Sequence, residues 1–367
     1  MKNIGILTQP LRNNYGGTLQ NYALQEVLRN LGYNPITLNY DNLSFHDILN
    51  RYFLFFYKLL HLEFDFGLIL SPLRKKNYTE NFRIFESKHI KKENVGKGIV
   101  KKEKVDSLNL DAIIVGSDQT WRPAYNKGPL LGNMFLDFYS QKDIVKISYA
   151  ASFGLETPSE FNPKQIELFS TLLKAFKAVS VREKSAVSIC KNYFGVEASQ
   201  VLDPTLLLSR DKYESLCNHI DDTDYVAVYI LDLNSHKKSL IEQICQKLNK
   251  KAIFIGTKER NGFFQSIEDW LGYIKNSKFL ITDSFHGTVF AIIFNIPFLN
   301  LFNNFRGKDR VNSLCSLFEL TDHLLDVNSA HDFNPSLSKE INWRRSNNLL
   351  NQLQSHSFDF LKKSLNN

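Results

Sequence analysis

Short apolar runs alternate along this chain with longer stretches in which apolar residues recur at helical spacing. The first unit sets the pattern: Ile4-Gly5-Ile6-Leu7-Thr8 reads as a strand and Arg12-Asn13-Asn14-Tyr15-Gly16-Gly17 as a polar turn. A helix follows with Leu24, Leu28 and Leu31 on one face, and Gly32 closes it. Further strands are expected at 112–115, 145–150, 178–181 and 200–202, with helices over about 164–176 and 183–193. Asp203-Pro204 breaks the series. A second one then begins, with helices at 212–219, 237–250 and 267–276 between strands at 225–231, 252–256 and 279–282. Such alternation builds open parallel sheets covered on both faces. The expectation is an α/β protein of two Rossmann-like domains, 1–205 and 206–340, with an amphipathic stretch within 341–367 crossing back to the first.

One segment interrupts the first domain. Residues 46–76 contain Tyr52-Phe53-Leu54-Phe55-Phe56-Tyr57-Lys58-Leu59-Leu60 and then Leu68-Ile69-Leu70. Its unbroken apolar runs fall short of the ~20 residues that span a bilayer. Flanking Arg51, Lys58, Arg74, Lys75 and Lys76 suit a helix lying on an anionic membrane surface, while a packed insertion or a dimer contact fits equally well.

Composition narrows the classes further. With 367 residues, 43% hydrophobic and 23% charged, the chain is globular and long enough for two cores. The aromatic content is unusual, at 29 Phe and 15 Tyr. Cys190, Cys217, Cys245 and Cys315 are widely spaced, with no pair at metal-site or disulfide-framework spacing, so a reducing, cytoplasmic setting is expected. The opening apolar segment is too short for the core of a signal peptide. A net charge of +7 suits anionic partners, yet no nucleic-acid-binding motif accompanies it, and the basic runs are short and mixed with acids.

Three strand-to-helix turns carry candidate chemistry. In Leu280-Ile281-Thr282-Asp283-Ser284-Phe285-His286-Gly287-Thr288, a buried strand runs into a polar turn that sets Ser284 and His286 at a helix N-terminus, where free amides attract phosphate or carboxylate. In Ile114-Val115-Gly116-Ser117-Asp118-Gln119-Thr120-Trp121, Gly116 permits close backbone approach, and Asp118 stands where a carboxylate acts as a base or binds hydroxyls, or simply caps a helix. In Ala178-Val179-Ser180-Val181-Arg182-Glu183, Arg182 has the fork geometry for a bidentate anion, or for a salt bridge with Glu183 or Asp203. The glycine fingerprints for dinucleotides and nucleotide phosphates, the zinc-protease motif and the serine-hydrolase elbow are all missing. Asp222-Thr223-Asp224 has metal-like spacing but precedes a strand, which favours a solvated loop, and no metal is expected.

Taken in order, these turns resemble the polysaccharide pyruvyl transferase family. The similarity runs through Ile4-Gly5-Ile6-Leu7, Tyr15-Gly16-Gly17, Gln20-Asn21-Tyr22-Ala23-Leu24, the turn from Gly116 to Trp121, and Ser148-Tyr149-Ala150-Ala151-Ser152-Phe153-Gly154. It continues through Ser180-Val181-Arg182-Glu183, Val201-Leu202-Asp203-Pro204-Thr205, the turn from Thr282 to Gly287, and Ile296-Pro297-Phe298. The resemblance implies two Rossmann-like domains facing across a cleft, as in GT-B glycosyltransferases. It also implies transfer of pyruvyl from phosphoenolpyruvate to a saccharide as a cyclic ketal, without cofactor or metal.

On that resemblance, His286 is the expected general acid and Asp118 the group that takes or orients a hydroxyl. Arg182, Ser284, Phe285 and Gly287 are expected around phosphoenolpyruvate. Some relatives carry arginine where this chain has Ser284, so Lys258, Arg306 or Arg310 must supply part of the donor's counter-charge. Asn14, Tyr15, Gly16, Gly17, Ser117, Gln119 and Trp121 are assigned to the acceptor, a polysaccharide unit or a lipid-linked oligosaccharide presented at the membrane's inner face. Two rivals stand beside this reading. A glycosyltransferase on the same scaffold would release nucleoside diphosphate instead of phosphate, and a non-catalytic assembly protein would tolerate His286→Ala.

Overall fold

The computed structural model describes residues 1–11, 13–40, 79–139, 144–257, 264–302, 308–327 and 340–366. Segment 46–76, with the aromatic run 52–60, lies outside them, as do Lys258 and Arg306. Two open parallel sheets organise the rest. The first holds β1 (Asn3–Leu7), β2 (Asn34–Asn39), β3 (Lys92–Asn94), β4 (Ala112–Val115) and β5 (Val145–Ser148), in the order β3-β2-β1-β4-β5. A short parallel pair, β6 (Ser180–Val181) and β7 (Ser199–Gln200), extends it through bridges from Ile147 to Ala178 and from Ala151 to Val181. The second holds β8 (Tyr225–Tyr229), β9 (Lys251–Phe254), β10 (Phe279–Thr282), β11 (Phe298–Phe302) and β12 (Leu324–Asp326), in the order β12-β11-β10-β8-β9. Strand order reverses between β1 and β4 in one sheet and between β8 and β10 in the other. At such switch points the carboxyl ends of the strands open a crevice for ligands.

Local sequence explains the helices that lead away from those points. Asn14 caps the Tyr15–Asn30 helix by accepting from the Gly17 amide, and Gly32 beyond its end takes φ +84°. The Phe285–Phe294 helix is buried along its whole length, so no amphipathic stripe marks it. Ser284 caps its start and Asn295, in the left-handed conformation, its end. The Ile267–Asn276 helix and strands β4 and β10 lie where the periodicity puts them. Strands β2, β3 and β11 and the helices Glu80–His89 and Lys308–Leu317 are additional to the sequence reading. Pro35 sits inside β2, β3 is exposed throughout, and buried Asn300 interrupts the apolar run of β11, so each lacks the expected signature.

One apolar core runs through both halves. Tyr15 stacks on Trp270 at 5.1 Å and tilts against Phe82 at 4.7 Å, while Trp270 meets Tyr229 and Phe290 edge-on. Burying such side chains stabilises the interface by roughly 1.5–3 kcal/mol each. A second core, on the other face of the first sheet, gathers Trp121, Phe135, Phe153, Phe161, Phe169 and Phe194. The Trp343–Leu365 helix packs on the first half. There Gln354 Nε2 donates to the Leu206 carbonyl (2.6 Å), Ser357 Oγ accepts from the Leu202 amide (3.0 Å), and Lys177 Nζ donates to the Asn366 carbonyl (2.6 Å). No helix among the described residues is long and apolar enough to cross a membrane.

Candidate active site

Both switch points deliver polar side chains to one place. At the end of β4, Gly116 has φ +122° and lies so close to Tyr149 that an added Cβ would stand 2.2 Å from its carbonyl oxygen, so only glycine fits. Ser117 is buried, receives no solvent, and donates through Oγ to Asp203 Oδ2 (3.0 Å). Asp118 has φ +74° and caps no helix; its carbonyl accepts from the amides of Thr120 and Ser152. Its carboxylate instead faces Arg182 Nη2 at 3.4 Å and Arg310 Nη1 at 3.8 Å.

From the other sheet, the end of β10 presents His286. Ser284 uses its hydroxyl on the Gly287 amide, and Thr282 Oγ1 accepts from the Ser284 amide, which fixes the turn. Gly287 packs on Thr282, where a Cβ would meet Oγ1 at 2.3 Å. Gly16, in the first turn of the Tyr15–Asn30 helix, packs on the imidazole itself: a Cβ there would lie 1.9 Å from Nδ1. His286 is buried, and its Nε2 makes no hydrogen bond among the described residues. The nearest anionic group is Asp203 Oδ2, at 3.7 Å. Phe285 stands edge-on to the imidazole at 5.1 Å and lies under the Arg182 guanidinium at 4.1 Å.

Asp203 is the hub of this cluster. Its Oδ2 accepts from Arg182 Nη1 (2.8 Å) and Ser117 Oγ, and its Oδ1 from the Thr205 amide (3.1 Å) and hydroxyl (2.7 Å). Burial alone would raise its carboxyl, but His286, Arg182 and Thr205 outweigh burial and hold it well below the usual carboxylate range. Burial opposes the charge of Arg182, yet Glu183, Asp203 and Asp118 keep it above the ordinary arginine value. Burial and the Arg182 charge lower Arg310. Glu183 is the reverse case: burial raises it, against Arg182 and the Ser152 hydroxyl, which donates to Oε1 at 2.6 Å. Its other oxygen, Oε2, is buried without a hydrogen bond among the described residues.

Comparison with known proteins now decides the family. The polysaccharide pyruvyl transferase family model matches residues 14–304, which takes in every residue of this cluster except Arg310. The chain belongs to the polysaccharide pyruvyl transferase family. It is therefore an enzyme of that kind, and the resemblance read from its turns is confirmed. No curated protein matches the chain. Among solved structures it is similar to a putative UDP-N-acetylglucosamine 2-epimerase from Listeria monocytogenes, with TM-score 0.51, 10% identity and coverage of 100% of this chain and 92% of that one. It is also similar to a glycosyltransferase from Rickettsia africae, with TM-score 0.50, 11% identity and coverage of 100% and 99%. At that identity the likeness shows the fold alone, two Rossmann-like domains of the GT-B kind.

In this pyruvyl transferase, the residues expected in the site divide into two groups. Asp118, Arg182, Ser117, Phe285, His286 and Arg310 come together, and Gly16 and Gly287 shape the backbone around them. Others serve elsewhere. Trp121 is a core residue, not an acceptor contact: it is fully buried, stacks on Phe135 at 5.4 Å, and its indole N–H donates to the Met134 carbonyl. Tyr15 is likewise buried between the two halves, with its hydroxyl donating to the Gln265 carbonyl (2.8 Å). The Asn14 side chain is the helix cap, and Gln119 accepts from Arg122 Nη1 (3.0 Å). Ser284 caps its helix, its hydroxyl accepting from the Gly287 amide. Asp222 and Asp224 pair with Lys251 and Lys250. The sequence marks Asp203 as a break in the first series, a member of a family-like block and a salt-bridge partner of Arg182, but not as a site residue, and it does not single out Glu183 as one. The signal for Asp203 was present, since it follows Val201-Leu202 at the edge of the first domain as Asp118 follows β4.

Proposed function

We propose that this chain moves the pyruvyl unit of phosphoenolpyruvate onto two hydroxyls of one sugar, closing a cyclic ketal and releasing inorganic phosphate. The acceptor is a galactose-type residue of a capsular or exopolysaccharide, or of its lipid-linked precursor at the inner face of the membrane. One observation carries the reading: His286 from one half and Asp118 and Arg182 from the other meet around Asp203 between the carboxyl ends of both sheets.

Phosphoenolpyruvate needs a proton on its methylene carbon before its central carbon becomes electrophilic. His286 has a buried nitrogen with no protein hydrogen-bond partner among the described residues, suited to donate that proton. The first sugar hydroxyl then adds to the central carbon and passes its proton to Asp118. Phosphate departs with the electron pair of its carbon–oxygen bond, and the second hydroxyl adds and loses its proton to close the ring. The balance is one methyl gained, one phosphate released and two hydroxyl protons shed. Three carboxylates already surround Arg182, so Arg310 and the amides at the starts of the Tyr15–Asn30 and Phe285–Phe294 helices complete the positive field. Bringing two hydroxyls to one carbon is chiefly positioning, which a site built from two rigid sheets supplies.

Incubation with phosphoenolpyruvate and galactosides tests this reading by mass spectrometry and phosphate assay. The expected product has gained one pyruvate less water, with one phosphate per turnover. Nucleoside diphosphate release from a sugar nucleotide, without phosphate from phosphoenolpyruvate, overturns it.

A further inference from the structure

The loop that carries Asp118 at one end carries an exposed aromatic ring at the other. Tyr125 is 49% exposed, between buried Trp121 and buried Asn126. The loop beneath it is tightly held. Arg122 donates to Glu160 Oε1 from Nε (3.1 Å) and Nη2 (3.0 Å), and the Ala124 amide donates to Glu160 Oε2 (2.8 Å). Asn126 Nδ2 donates to the Thr120 carbonyl (2.7 Å), and Gln9 Nε2 donates to both the Gln119 carbonyl (2.9 Å) and Asn126 Oδ1 (3.1 Å). Gln9 follows β1 and Gln119 follows β4, so these bonds tie the loop to the switch point. The Arg122 guanidinium lies 4.9 Å from the Tyr125 ring centre, backing the ring against the loop. Asn126, the neighbour of Tyr125, is held against Gln9 just past the carboxyl end of β1, the sheet edge that also carries Asp118.

A fixed ring of this kind, half in solvent and on the loop that begins at Asp118, does no work for the core. We infer that Tyr125 is the stacking platform for the acceptor sugar, its solvent-facing side receiving the apolar C–H face of the pyranose whose hydroxyls reach Asp118. This rests on the pyruvyl-transfer reading and names the acceptor-recognition element of that site. Rigid aromatic side chains give contact area at small entropic cost, and backing by Arg122 lowers that cost further. The two aromatic residues first assigned to the acceptor, Tyr15 and Trp121, are both buried, whereas Tyr125 presents its ring to solvent.

The test is steady-state kinetics of wild type, Tyr125→Ala and Tyr125→Phe with phosphoenolpyruvate and a galactoside. Tyr125→Ala is expected to raise the acceptor KM at least about tenfold while the KM for phosphoenolpyruvate moves less than about twofold, and Tyr125→Phe, which keeps the ring, should recover most of the loss. An unchanged acceptor KM in Tyr125→Ala, or an equal rise in both constants, overturns the platform. If wild type releases no phosphate with any acceptor, the pyruvyl-transfer reading is what fails. Calorimetric binding of methyl galactoside to wild type and Tyr125→Ala then decides the platform by itself, since equal affinities refute it.

Discussion

Replacing Gly16 by alanine separates catalysis from folding at this site. A Cβ at position 16 would lie 1.9 Å from His286 Nδ1 and 2.2 Å from Cγ. An ordinary contact needs about 3.4 Å, so the imidazole or the Tyr15–Asn30 helix must give way by about 1.5 Å. Gly16 is helical with negative φ, so alanine suits the backbone and gains up to about 1 kcal/mol of helix propensity. Overpacking costs roughly 1–3 kcal/mol, which leaves a net destabilisation of at most about 3 kcal/mol. Displacing a catalytic group by about 1 Å costs about 100-fold in rate, so Gly16→Ala should lose about two orders of magnitude in kcat. The assay is phosphate release from phosphoenolpyruvate with saturating acceptor, beside a urea unfolding curve. Wild-type turnover in a well-folded Gly16→Ala protein would refute the proton-donor role of His286, because a group that tolerates such a shift is not transferring a proton.

Three further substitutions probe the surroundings. Arg182→Lys keeps the charge but loses the fork that reaches Asp203, Asp118 and Glu183 and the stack on Phe285, so kcat/KM for phosphoenolpyruvate should fall about 10–100-fold in initial-rate measurements. Trp121→Ala should destabilise by about 3–5 kcal/mol in urea unfolding and leave the acceptor KM of the folded enzyme near wild type; a rise in that KM without a stability loss would restore it to the acceptor site. Asp203→Asn removes one partner of a buried ion pair and should destabilise by about 3 kcal/mol at neutral pH. Because folding lowers the Asp203 carboxyl, its contribution is complete above the unfolded-state value near 4 and disappears as the pH falls below it. Wild-type stability should therefore drop more steeply below pH 4 than that of Asp203→Asn, by up to about 1.4 kcal/mol per pH unit; parallel slopes would contradict the depressed carboxyl.

Much of this arrangement was legible in the chain because strand ends in open parallel sheets are punctuated. Arg182 follows its short apolar run directly, and Asp118 and His286 follow theirs within two or three turn residues; in each case the run is a strand whose carboxyl end points at the site. What could not be read was partnership. Nothing local distinguishes Arg182 awaiting an anion from Arg182 already facing three carboxylates, since Asp118 and Asp203 lie 64 and 21 residues away in sequence. The same limit misplaced Trp121. It shares a turn with Asp118, but the left-handed conformation at Asp118 redirects the chain so that the next aromatic enters the second core.

The contact between Gly16 and His286 shows why the site belongs to neither half alone. The Tyr15–Asn30 helix springs from the end of β1, and the imidazole stands on the helix that follows β10. Each helix start is an anion-attracting end of its own sheet. Brought face to face, with Asp203 on the connection between the halves bonded to Ser117 and Arg182 and facing His286, they make one charged cluster out of two ordinary switch points. Neither sheet would hold the imidazole in register without the other, because one supplies the ring and the other the backbone against which that ring is packed.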